Sequence, residues 1–157
     1  MKSSPINSIA LYVEDEATDR FLMRLAFVHQ ALEEALRMVN DGKAAQDYLS
    51  GVEAYTDRKK HPLPAIVLLD LNLPEVNGFD VLQWIRAHPL HSNLPVIVFS
   101  SSDRDEDRAR ARLLGANEFL TKPRSPLLLR EFVKQLSQRW LEQPPCESSS
   151  ADPPGNG

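Results

Sequence analysis

An α/β architecture, a parallel sheet with helices on both faces, follows from three observations on this 157-residue chain. Short apolar runs alternate strictly with amphipathic stretches, five of each. The run at 65–69, Ala-Ile-Val-Leu-Leu, is uninterrupted, as a strand buried on both faces requires. Acids, serines and a lysine stand just past the apolar runs, and in such sheets ligands bind outside the carboxyl ends of the strands.

Residues 7–13 form the first strand and run into Glu14-Asp15-Glu16. Residues 18–31 form a helix, with Phe21, Leu22, Leu25 and Val28 expected on its inner side. A second strand at 35–39 leads through Asn40-Asp41-Gly42 into a short helix at 44–49. The polar loop at 51–64, containing Asp57-Arg58-Lys59-Lys60, is long for a connection in such a fold. It reads as an exposed insertion, with a partner-binding surface as the alternative. The strand at 65–69 ends at Asp70. Gly78 opens a third helix that buries Val81, Leu82 and Ile85 and stops before Pro89. A glycine there suits a close or left-handed backbone position beside the Asp70 loop.

The fourth strand, 95–99, is followed by Ser100-Ser101-Ser102. Asp103 is expected to cap the fourth helix, whose first turn holds Asp105, Glu106 and Asp107 and which Gly115 ends. A short fifth strand at 118–120 runs into Thr121-Lys122-Pro123. Pro126 opens a last helix, with Leu127, Leu128, Phe132, Val133, Leu136 and Trp140 on its apolar side.

A formal charge of −4 gives no bulk electrostatic reason for nucleic-acid binding. Cys146 is the single cysteine, so neither an internal disulfide nor a cysteine zinc site is available. The N-terminus lacks a signal-peptide core and no apolar stretch is long enough to span a bilayer, so the expected location is cytoplasmic, without membrane insertion. Residues 1–142 read as one domain. Residues 143–157 are rich in Pro, Ser and Gly and are expected to form a flexible tail in which Cys146 is an incidental thiol. No basic or zinc-finger module follows, which argues against direct nucleic-acid output.

Glu14, Asp15 and Asp70 form an acidic cluster that would resist ionising without a counter-charge. A hard divalent cation supplies one: Mg²⁺, with Mn²⁺ as an alternative. Asp15 and Asp70 are the expected direct ligands, with the Asn72 backbone carbonyl as a third and Glu14 acting through water. Asp70 is the expected nucleophile, since a carboxylate can attack phosphorus to form an acyl phosphate. Lys122 would pair with a phosphoryl oxygen, and Ser100 would donate a hydrogen bond to the same group. Phe119, three residues before Lys122, is a candidate for a ring that moves inward when Ser100 shifts. His29, His61, His88 and His91 make no convincing site and read as exposed loop side chains. Trp84 and Trp140 read as packed on inner helix faces.

Val13-Glu14-Asp15, Leu68-Leu69-Asp70-Leu71-Asn72-Leu73-Pro74, Asn77-Gly78, Ser100-Ser101, Gly115-Ala116 and Thr121-Lys122-Pro123, in this order and spacing, resemble the receiver domain of two-component response regulators. The resemblance covers residues 7–141. It implies a flavodoxin-like (βα)5 fold with strand order 2-1-3-4-5, and an Asp70 phosphorylated with Mg²⁺ by a histidine kinase or a phosphotransfer protein. It implies the acidic pair Glu14 and Asp15, the hydroxyl and lysine positions at Ser100 and Lys122, and Ser100 and Phe119 as switch residues. It also implies that the side chains of Asn72 and Ser102 tune the lifetime of the phosphorylated state. Intrinsic activity would be self-phosphorylation and self-dephosphorylation, not turnover of a metabolite. The long loop and the missing output module look like the stand-alone regulators served by bacterial phytochrome kinases. Such regulators often pair as homodimers through the fourth and fifth helices and the fifth strand. The alternative is a receiver-like scaffold that works without phosphorylation.

Overall fold

Successive residues of a strand point to opposite faces of a sheet, so a strand with no polar residue must be covered twice. In the computed structural model, which describes residues 8–142, five strands form one sheet, and its three inner strands are buried along their whole length. The five are β1 (Ala10–Val13), β2 (Leu36–Val39), β3 (Ile66–Leu69), β4 (Val96–Ser100) and β5 (Glu118–Thr121). All are parallel, in the order β2-β1-β3-β4-β5. The expected tail at 143–157, with Cys146, lies outside the described residues.

The helices are α1 (Ala17–His29), α2 (Gly42–Ser50), α3 (Gly78–Ala87), α4 (Asp105–Leu113) and α5 (Pro126–Leu136), the last continued by a π-helical segment, Ser137–Leu141. Ala10, Tyr12, Ile66, Leu68, Ile97 and Phe99 face α1 and α5. Leu11, Val13, Val67, Leu69 and Val96 face α2 and α3. Val98 continues that second layer with Leu71, Phe79 and Ala111 of α4. Among the described residues no helix is long and apolar enough to cross a membrane.

Local chemistry sets the helix starts. Asp41 accepts from the Ala44 N–H at 2.7 Å, and Asn77 and Asp80 form a reciprocal capping box. Ser125 accepts from Leu127 and Leu128, with Pro126 as the first helical residue. The expected cap at Asp103 is not made. Arg104 occupies the cap position without a side-chain bond, and Ser102 Oγ instead takes the Arg104 N–H and donates to Asp107 at 2.6 Å.

Three further expectations are corrected. The inner face of α1 is Met23, Ala26 and Phe27; Phe21, Leu22, Leu25 and Val28 are exposed, Phe21 by 57%. Helix α1 is apolar on nearly every side, and its smaller second stripe matches the sheet. On α5, Leu129, Val133 and Leu136 are buried and Leu127 and Leu128 are exposed. The loop at 51–64 is largely exposed, as expected, and it is pinned: Arg58 donates to the carbonyls of Tyr48, Leu49 and His61, and His61 packs edge-on against Tyr48 and Tyr55. His91 is not an exposed loop side chain; only 7% exposed, it stacks on Trp84.

At the amino ends of β4 and β5, Arg86 of α3 donates to the carbonyls of Gly115, Ser92 and Leu94 and to Asn117 Oδ1. Asn117 Oδ1 also accepts from the Val96 N–H. At the carboxyl ends the register aligns Val13 with both Val39 and Leu69, and Ser100 with Thr121. Glu14 and Asp70 therefore leave neighbouring strands side by side, and Lys122 leaves the same end of the sheet one strand beyond β4.

Gly78 seats α3 against the Asp70 loop. A Cβ there would stand 2.3 Å from the Asp70 carbonyl oxygen and 2.6 Å from Leu71 Cα, both fixed backbone. Gly78→Ala is therefore expected to lower stability by about 2 kcal/mol or more. Urea denaturation followed by tryptophan fluorescence measures the loss, and an unchanged midpoint would contradict the close approach.

Candidate functional site

Four acids and one lysine converge where β1, β3 and β5 end. Glu14 is fully buried; its Oε1 accepts from Tyr12 Oη at 3.0 Å and from Lys122 Nζ at 2.6 Å, and its Oε2 accepts from the Glu16 N–H. Arg20 donates to the Glu14 carbonyl and pins the turn into α1. Lys122 Nζ also donates to Asp19 Oδ2 at 2.8 Å and stands 3.7 Å from Asp70 Oδ2. Asp70 Oδ1 is buried with no hydrogen-bond partner among the described residues.

Glu14, Asp15 and Asp70 each place a carboxylate oxygen within 4.8 Å of the others, with Asp15 exposed to solvent. One ammonium group cannot balance this cluster, and its unsatisfied buried oxygen is a hard donor. The residues therefore fit a small divalent cation with oxygen ligands. Among the described residues no histidine joins such a cluster. Asn72 is exposed two residues beyond Asp70, and its backbone N–H faces the Asp70 carboxylate.

Ser100 is buried at the end of β4, its Oγ accepting from the Ser102 N–H at 3.2 Å. The Ser102 hydroxyl is engaged with Asp107, and that bond holds the Asp107 carboxyl below the usual range. Phe119 is half-buried against Leu71, Phe79, Val98 and Ala111. The Arg108 guanidinium lies 4.8 Å from its ring centroid, and Arg108 donates to the Phe119 carbonyl and to Thr121 Oγ1.

The electrostatics are asymmetric. Burial pushes the Asp70 carboxyl up to about 7; Lys122 opposes the rise and Glu14 adds to it. Burial pulls the Lys122 ammonium down, but the bonds to Asp19 and Glu14 more than offset this and leave it raised. Burial and the Glu14 charge raise the Tyr12 hydroxyl, so it stays a donor.

Two of these residues escape a sequence reading: Asp19 and Tyr12. A first-turn acid four residues after Asp15 was the available signal for Asp19. Tyr12 looks like any strand aromatic.

An acid whose folded-state pKa is raised ionises in the unfolded chain first. Stability is then lost as pH rises from about 4 to about 7. In metal-free buffer, Asp70→Asn is expected to stabilise the fold by about 2–4 kcal/mol at pH 8, with the gain shrinking toward pH 4. Urea titrations at pH 4.5 and 8 measure it, and a gain independent of pH would contradict the assignment.

The response regulator receiver domain model matches residues 10–134. The probable methanogenesis regulatory protein FilR2 of Methanothrix harundinacea is 36% identical over 133 residues, covering 85% of this chain and 83% of that protein. The crystal structure of the phosphorylated cyanobacterial phytochrome response regulator RcpA superposes with a TM-score of 0.75 at 30% identity, covering 85% of this chain and 93% of that one. That of the Mn²⁺-bound form of response regulator Rcp1 gives 0.73 at 29%, covering 94% and 99%. With the sheet order and the acid–lysine geometry already in place, the chain belongs to the response regulator receiver domain family.

Proposed function

We propose that this chain is a signalling module in which Asp70 accepts a phosphoryl group from a phosphohistidine donor and holds it as an acyl phosphate. The observation that carries the reading is the buried, unpartnered Asp70 Oδ1, set between two further acids and 3.7 Å from Lys122 across its other oxygen. An Asp70 oxygen attacks phosphorus, the donor N–P bond breaks, and the departing imidazole takes up a proton.

Asp15, Asp70 and the Asn72 carbonyl would hold Mg²⁺, or Mn²⁺ in its place. Glu14, its oxygens already engaged by three donors, acts through water. A bound cation supplies positive charge to the attacking carboxylate and the incoming phosphoryl oxygens. Lys122 pairs with one phosphoryl oxygen, and Ser100 donates to another once its hydroxyl turns toward Asp70. The Ser100 movement makes room for the Phe119 ring, and the changed surface of α4, β5 and α5 carries partner binding or self-association. The side chains of Asn72 and Ser102, two residues past Asp70 and Ser100, tune the phosphoryl lifetime.

The donor docks on α1. Leu22 and Leu25 line a groove with Ala26, His29, Pro126 and Leu129, beside the β5–α5 turn that carries Lys122. An exposed apolar patch of this kind marks an interaction surface. The donor is a histidine kinase or a phosphotransfer protein; phytochrome-type input is suggested by the cyanobacterial relative's own name.

Labelling with radioactive acetyl phosphate tests the site. The unsubstituted chain is expected to label in Mg²⁺ and not after chelation, and Asp70→Asn is expected to abolish the label. Labelling that survives in that variant would overturn the assignment. Leu25→Glu tests the groove: it is expected to slow phosphotransfer from a histidine kinase by about tenfold or more while acetyl phosphate labelling is unchanged. Equal loss with both donors would remove the docking role.

A further inference from the structure

From the geometry we infer that Asp19 is a positioning residue, a tether that holds Lys122 away from Asp70 while the chain is unphosphorylated. The inference rests on the phosphoryl-acceptor reading and concerns how that site is regulated. A lysine ammonium has three donors. Here one goes to Glu14 at 2.6 Å and one to Asp19 at 2.8 Å. Asp70 Oδ2, at 3.7 Å, is beyond a hydrogen bond. The lysine is thus drawn toward α1, and the acid it is proposed to serve carries an unpartnered oxygen.

The two tethering acids differ in kind. Glu14 is fully buried and held by Tyr12 and the Glu16 N–H, so its bond to Lys122 is part of the frame. The Asp19 side chain is 34% exposed, belongs to α1, and has Lys122 as its partner in this network. For Lys122 to reach a phosphoryl oxygen on Asp70, the Asp19 bond is the one that can open without stranding a buried carboxylate. Asp19 therefore weights the balance between the two positions of Lys122, and weakening it favours the phosphoryl-engaged one.

The test uses the full chain and Mg²⁺ with beryllofluoride as the phosphoryl mimic. Asp19→Asn is expected to tighten beryllofluoride binding, read by tryptophan fluorescence, by about fivefold. In the mimic-free chain, NMR is expected to show that the Lys122 ammonium protons lose protection from solvent exchange in this variant. A helix N-terminus also favours an acid in its first turn. The double variant Asp19→Asn/Thr18→Asp restores that charge at an exposed neighbour and is expected to keep both effects. Unchanged affinity and protection in Asp19→Asn, or return to the original values in the double variant, would overturn the tether. Failure of the unsubstituted chain to bind beryllofluoride would overturn the phosphoryl reading itself, and the tether's role with it.

Discussion

The constraint on which the rest depends is a charge imbalance at the carboxyl end of a buried sheet. Glu14 and Asp70 emerge from adjacent strands with little access to water, Asp15 and Asp19 flank them, and among the described residues Lys122 is the one cation paired with their carboxylates. A core this apolar below the acids gives them no dielectric relief, so the lysine's position decides which carboxylate is satisfied. It satisfies Glu14 and Asp19. Asp70 is left with a raised proton affinity and an open oxygen. The reactivity proposed for Asp70 and the fit of this cluster to a hard cation share that physical origin.

Much of this was legible in the residues. An uninterrupted apolar run forces two-sided burial, and alternation of strands with helices forces parallel connection, so the sheet and the convergence of Glu14, Asp70 and Lys122 at one end were both accessible. Which stripe of α1 turns inward was not. Phe21, Leu22, Leu25 and Val28 satisfy helical periodicity as well as Met23, Ala26 and Phe27 do. Periodicity finds a stripe and cannot weigh its shape against the sheet. The bonds of Lys122 were illegible for a similar reason: spacing brings Lys122 near an acidic cluster but says nothing about which acid wins. Arg58 looked like one more charge in a polar loop, and only folding shows that its guanidinium gathers three carbonyls.

The route from the site to the surface is short. Ser100 ends β4, and its backbone carbonyl accepts from the Lys122 N–H at 2.8 Å, so the hydroxyl and lysine positions share one ladder step. Two residues before Ser100, Val98 packs in the cluster that supports Phe119. Arg108 of α4 holds Phe119 from outside, through its ring and its carbonyl. Chemistry, core and exterior are thus separated by a few residues, which suits a domain of this size to report a local change.

The Arg86 clamp acts at the opposite end of the same two strands. By gathering carbonyls from the turn before β4 and from the α4–β5 turn, and by sharing Asn117 with the first amide of β4, it fastens their amino ends to α3. The carboxyl end of β5 is tied elsewhere: Arg108 of α4 donates to the Phe119 carbonyl and to Thr121 Oγ1, and Lys122 reaches Glu14 and Asp19. The two ends of the pair therefore rest on different helices: α3 anchors the amino ends, while α4 and α1 hold the end that carries the candidate site.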